Sequence, residues 1–187
     1  MKNSNLYLVS LVLVAILGGL LFGYDTAVIS GAEQALQKHL GLNAFWHGIT
    51  ASSALIGCVI GGAISGVCAS RMGRRNSLRL SAVLLFLSAL GSYYPEFIFF
   101  EKGDTSFSLI LAFNFYRILG GVGVGLASAI SPMYIAEVAP SEIRGKLVSC
   151  NQFAVIFGML VVYFVNYMIK DGMTEEMLVS DGWRQMF

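Results

Sequence analysis

The 187 residues are 56% hydrophobic and only 12% charged, with a net charge of +1 and a mean hydropathy of +0.72; an ordinary soluble domain carries roughly 25% charged residues. Such a chain is an integral membrane protein, and nothing in its charge supports nucleic-acid binding. Cys58, Cys68 and Cys150 all fall in or beside apolar runs, so they read as small packing residues rather than a disulfide or metal framework.

Helical segments long enough to cross a bilayer, which takes about 20 residues, run from Leu6 to Gln34, Trp46 to Ala69, Leu78 to Phe99, Phe107 to Ile130 and Leu147 to Ile169. They are too long and continuous for the ten-residue strands of a membrane barrel. The first has only Lys2 before it and no convincing small-residue cleavage site, so it is retained as a helix and not removed as a signal peptide. Inside it sits Asp25, at a depth where ionisable groups are costly and mark pathways. The second span carries Gly57, Gly61, Gly62 and Gly66, and the fourth Gly120, Gly121, Gly123 and Gly125. Their four-residue spacings let helix backbones approach closely, which predicts that both spans are interior. The fourth also contains Arg117.

With about 100° of rotation per residue, Asp25 shares a face with Gly18, Leu21, Phe22 and Ile29, and Arg117 with Gly121, Val124 and Ser128. Both charges fall toward the same half of the membrane and can meet. Ionised Asp25 would hold Arg117, and a proton on Asp25 would release it, coupling proton entry to helix movement. A helix end at Asp25 with a snorkelling Arg117, or a static ion pair, are the alternatives. On the fifth span Gln152 shares a stripe with Ile156, Met159, Tyr163 and Asn166, a mixture that suits a sugar ring, or else a helix-to-helix hydrogen bond.

Basic residues orient the spans. Lys2, then Arg71, Arg74, Arg75 and Arg79, then Arg144 and Lys146 share one side by parity, which places the N-terminus in the cytoplasm. Glu96, Glu101, Asp104, Asp171, Glu175, Glu176 and Asp181 fall on the opposite side. Near the cytoplasm, Glu137, Glu142 and Arg144 at the helix ends, with Arg71, Arg74 and Arg75, form either a breakable latch or solvated loops. The chain stops at Asp181-Gly-Trp-Arg-Gln-Met-Phe187, where another helix is expected to enter, so the sequence looks truncated.

Several stretches together resemble the sugar porter family of the major facilitator superfamily, and within it the bacterial D-xylose/proton symporters. They are Gly19-Leu-Leu-Phe-Gly-Tyr-Asp-Thr-Ala-Val-Ile-Ser-Gly31, Arg71-Met-Gly-Arg-Arg75, Tyr116-Arg-Ile-Leu-Gly-Gly-Val-Gly-Val-Gly125, Pro132-Met-Tyr-Ile-Ala-Glu-Val-Ala-Pro-Ser-Glu-Ile-Arg-Gly145 and Gly182-Trp-Arg-Gln-Met-Phe187. The resemblance covers nearly the whole chain. It implies an all-α membrane protein, the N-terminal half of a twelve-helix alternating-access fold with five transmembrane helices plus the start of a sixth, lacking the C-terminal domain. Residues 1–187 would then form an incomplete six-helix domain in the inner (plasma) membrane, acting on a sugar and a proton with the missing half of the same transporter.

Carried over by position, the resemblance makes Asp25 the proton-responsive acid, Arg117 its partner, Gln152 a sugar ligand and Phe22 a cavity-lining aromatic. Arg71, Arg74, Arg75, Glu137 and Arg144 become an inner charge network. Facilitative animal relatives typically have asparagine at the position of Asp25, so the carboxylate favours symport of a pentose or hexose such as D-xylose over uniport. Ser70 and Met159 depart from the family pattern. Met159 stands where the xylose symporters have glutamine, which makes the pocket more apolar. A membrane sensor or scaffold and a dimeric half-transporter are the competing readings. An enzyme ranks last: only His39 and His47 are present, no Ser/His or metal-ligand arrangement lies at membrane depth, and no cofactor is implied.

Overall fold

A computed structural model describes residues 2–94 and 107–186 and is helical throughout. Five long helices follow one another: α1 (Lys2–Leu40), α2 (Ala44–Met72), α3 (Arg74–Tyr93), α4 (Phe107–Val138) and α5 (Arg144–Asp171). A short α6 (Glu175–Met177), a π-helical turn over Leu178–Gly182 and a 3-10 turn over Arg184–Met186 end the chain. Each helix extends past the expected span except the third. Residues 95–99 of that span, with Glu96, Glu101 and Asp104 of the following loop, lie outside the described residues. Among the described residues α2, α4 and α5 are long and apolar enough to cross a membrane.

Local chemistry sets the tight connections. Gly41, at φ +60°, closes α1, and the N–H of Leu42 returns to the Gln37 carbonyl at 3.1 Å. That is the left-handed glycine cap that satisfies a terminal carbonyl. Two residues on, the Asn43 side chain accepts from the Trp46 N–H at 2.9 Å and starts α2. Gly73, at φ +79°, is the single residue between α2 and α3.

The centre of the bundle is α4, which touches all four other long helices. Of its most apolar stretch 61% is buried, against 22% for α2, so the expectation of two interior spans holds for α4 alone. α2 reaches the centre only through a stripe of small residues. A side chain at Gly57 or Gly61 would strike the backbone of Ile118 and Val122, and one at Gly121 or Gly125 that of Ala54 and Cys58. Gly62 and Gly66, by contrast, face open space. α1 and α5 form a second close pair, with Gly23 against the Val155 carbonyl and Gly158 against that of Leu20. On α3, Ser77, Ser81, Ser88 and Ser92 are all buried, and Ser81 Oγ donates to the Gly123 carbonyl at 2.7 Å. The terminal turns fold back onto the bundle: Trp183, 1% exposed, packs with His39 of α1 and Phe113 of α4.

Candidate functional site

α1 presents Asp25 toward α4, and Arg117 Nη1 donates to its Oδ1 at 3.1 Å. The guanidinium is 2% exposed and the carboxylate 21%. A cation that deep needs its counter-charge, because an uncompensated buried charge costs several kcal/mol. The pair therefore ties α1 to α4.

Water-sized space flanks it on both sides. A cavity of about 180 Å³ reaches Asp25 and Arg117 past Tyr24, Ser88 and Ser92. Another, of about 270 Å³, reaches them past Phe22, Cys58 and Gly121. Both cavities are large enough to hold water beside the Asp25 carboxylate.

Phe22 also lines a third cavity, of about 120 Å³, with Ser128, Ser131, Asn151 and Gln152. One aromatic ring therefore separates the ion pair from a small polar cleft that offers amide and hydroxyl groups beside an apolar wall. Gln152 and Phe22 meet there. Met159 lines none of these three cavities; it is half-buried against the apolar cluster of Val28, Phe113 and Val162. Farther along the same stripe Ile156 and Tyr163 are exposed, whereas Asn166 is buried and donates to the Val28 carbonyl at 3.4 Å.

At the other end of the bundle the charged residues separate. Arg74 holds Glu137, with Nη2 at 2.8 Å and Nε at 3.0 Å from Oε1. Arg144 donates to the Ala139 carbonyl at 3.4 Å, which caps the end of α4. Arg71 and Arg75 are exposed and join no ion pair among the described residues. The geometry assembles one latch, Arg74–Glu137, out of the five residues.

Some polar groups at the site had no sequence signal that singled them out. Asn151, 7% exposed, accepts from Ser131 Oγ at 3.0 Å in the cleft beside Gln152. Ser88 and Ser92 stand in the wall behind Asp25, and with Ser77 and Ser81 they form a buried row of small side chains on α3. Among the described residues no three His, Cys, Asp or Glu side chains converge to hold a metal ion, and all three cysteines are free.

A partly buried acid paired with a buried guanidinium between cavities of a membrane bundle is the kind of intramembrane charge that marks a functional site. Residues 11–187 match the family described as sugar (and other) transporter, and the chain belongs to that family, the sugar porters of the major facilitator superfamily. It is a multi-pass inner-membrane protein. Over 199 residues it is 53% identical to the D-xylose-proton symporter of Escherichia coli (strain K12), covering 99% of this chain and 40% of that one. With the glucose transport protein of Synechocystis sp. the identity is 41% over 179 residues, covering 93% and 36%. Among solved structures, the proton:xylose symporter XylE bound to 6-bromo-6-deoxy-D-glucose superposes with a TM-score of 0.91 at 50% identity, over 98% of this chain and 42% of the other. The chain spans 40% of the length of the Escherichia coli relative and corresponds to its N-terminal portion.

Proposed function

We propose that the chain works as the N-terminal half of a proton-coupled sugar symporter operating by alternating access. In this reading Asp25 takes up the proton, Arg117 is the partner it releases, and Gln152 and Phe22 contact the sugar. A second half completes the sugar site. Residues 1–187 cross the membrane five times and begin a sixth crossing, with the N-terminus and the basic residues Arg71, Arg74, Arg75 and Arg144 on the cytoplasmic side. There Arg74–Glu137 acts as the inner latch. The D-xylose-proton symport for which the Escherichia coli relative is named agrees with this reading.

The observation that carries it is the 3.1 Å contact between Asp25 and a 2%-exposed Arg117, with cavities on both sides of it. Protonating the acid removes the charge that holds the cation, so α1 and α4 lose their tie when a proton enters. In the full-length transporter carrying this segment, Asp25→Asn should abolish sugar accumulation against a gradient while sugar exchange at equilibrium survives. Accumulation that persists in proteoliposomes would reject Asp25 as the coupling acid.

A further inference from the structure

A second titratable pair involves α1, about two turns beyond Asp25 and about 80° around the helix from it. Glu33 Oε1 and His47 Nε2 are 2.7 Å apart and bridge α1 to the first turn of α2. At 41% and 22% exposed they stand at the mouth of the seam between those helices. Behind them the seam is lined by Ile29, Leu36, Leu42, Thr50 and Ala51 and is too tight to admit a water molecule. Ile29 and Ala51 also line the 270 Å³ cavity that holds the Asp25 carboxylate. The seam therefore adjoins the cavity of the ion pair from the α1–α2 end of the bundle.

Three features make it one that can open. α1 packs far more extensively on α5 than on α2, and α2 does the same on α4, so the seam separates two tightly joined sets of helices. The Thr50 hydroxyl, 2% exposed, has no hydrogen-bond partner among the described residues. Closure leaves that group unsatisfied, and opening the seam would hydrate it. The clasp across the mouth is a contact whose strength depends on protons.

We propose that Glu33 and His47 gate access from this end of the bundle to the Asp25 cavity, and that acid closes the gate. The identity of the traffic, water and protons bound for Asp25, rests on the symport reading above; the gate itself does not. Neutral His47 donates to the Glu33 carboxylate, and protonated His47 adds an ion-pair attraction to the same contact. Among the described residues His47 is the group that holds Glu33. Asp25 and Arg117 engage each other at the inner end, and His39 and Arg184 pack on Trp183. Lys38 is on the last turn of α1, and from Phe107 to Tyr116 α4 brings no charged side chain.

Cys58 lines the Asp25 cavity and serves as a native reporter. In the intact transporter carrying this segment, with Cys58 as its sole cysteine, the rate of alkylation by N-ethylmaleimide is measured in membrane vesicles at pH 6 and pH 8. Dividing each rate for Glu33→Gln by that of the parent at the same pH cancels the thiol's own ionisation. The ratio should be about threefold at pH 6, where the ion pair is lost, and smaller at pH 8, where a hydrogen bond alone is lost. His47→Gln, which keeps a donor but cannot titrate, should show the same pH-dependent ratio. Ratios independent of pH in both variants, or below unity at pH 6, overturn the gate. Alkylation reads entry and not sugar movement, so its failure leaves symport standing, and failure of the Asp25→Asn test leaves the gate standing.

Discussion

Removing the charge of Asp25 should cost the folded bundle more than removing the whole pair. In Asp25→Asn the guanidinium of Arg117 stays 2% exposed and loses its counter-ion. Stripping one partner from a fully buried pair costs about 3 to 5 kcal/mol. Asp25 is 21% exposed and cavities of about 180 and 270 Å³ adjoin it. Water can follow into that space, so the cost falls just below that range, to about 2 to 3 kcal/mol. Arg117→Gln should cost a similar amount. The double variant Asp25→Asn/Arg117→Gln has no uncompensated charge and should cost less than either single variant, so the cycle should return a coupling of about 3 kcal/mol. The assay is denaturant unfolding of all four proteins in one detergent, followed by the tryptophan signal of Trp46 and Trp183. Costs that simply add, with a coupling under about 0.5 kcal/mol, would refute the claim that these two groups sustain each other. The same energy is what a proton on Asp25 would release to the conformational equilibrium. A shift of about 2 kcal/mol changes a two-state ratio by a factor of roughly 30, enough to move a domain from mostly one state to mostly the other.

Two further predictions address the cleft and the packing. Gln152→Ala in the full-length transporter should weaken sugar binding by about 1 to 3 kcal/mol, the cost of an unpaired polar partner, with calorimetric affinity as the check; an unchanged Kd would remove it from the sugar site. Gly121→Val, whose side chain would enter the Ala54 backbone, should prevent a monodisperse fold in gel filtration, whereas Gly62→Ala, facing open space, should elute as the parent does.

How far the sequence reached depended on whether a feature was a matter of depth or of direction. Asp25 and Arg117 were legible because a charge inside an apolar run is conspicuous, and two such charges at comparable depth have few other partners. The spacing Gly57/Gly61 and that of Gly121/Gly125 also mark the α2–α4 contact. Gly62/Gly66 has the same spacing but lies about 100° around the helix, on a face that meets nothing within 4 Å. A repeat states that a smooth stripe exists and leaves open which side a neighbour takes. Met159 illustrates the same limit, sharing the Gln152 stripe by number while turning its side chain into the apolar cluster. Arg71, Arg74 and Arg75 are close in sequence, yet Gly73 reverses the chain between them and only Arg74 reaches Glu137. Buried serines on α3 escaped notice because their composition reads as polar, while their use is to be small. His47 stands out in the sequence only as one of two histidines; its pairing with Glu33 required the sharp reversal between α1 and α2.

The glycine contacts described for α2–α4 and α1–α5 have a mechanical consequence. Where backbone rests on backbone there is no side chain left to rearrange, so each pair must travel as a stiff unit. Asp25 and Arg117 belong to different units, which makes their contact a joint and not a brace. Any displacement set off by a proton is then concentrated between α1–α5 and α2–α4, and a spin label on α5 paired with one on α2 should record it, while labels within either unit keep a constant separation.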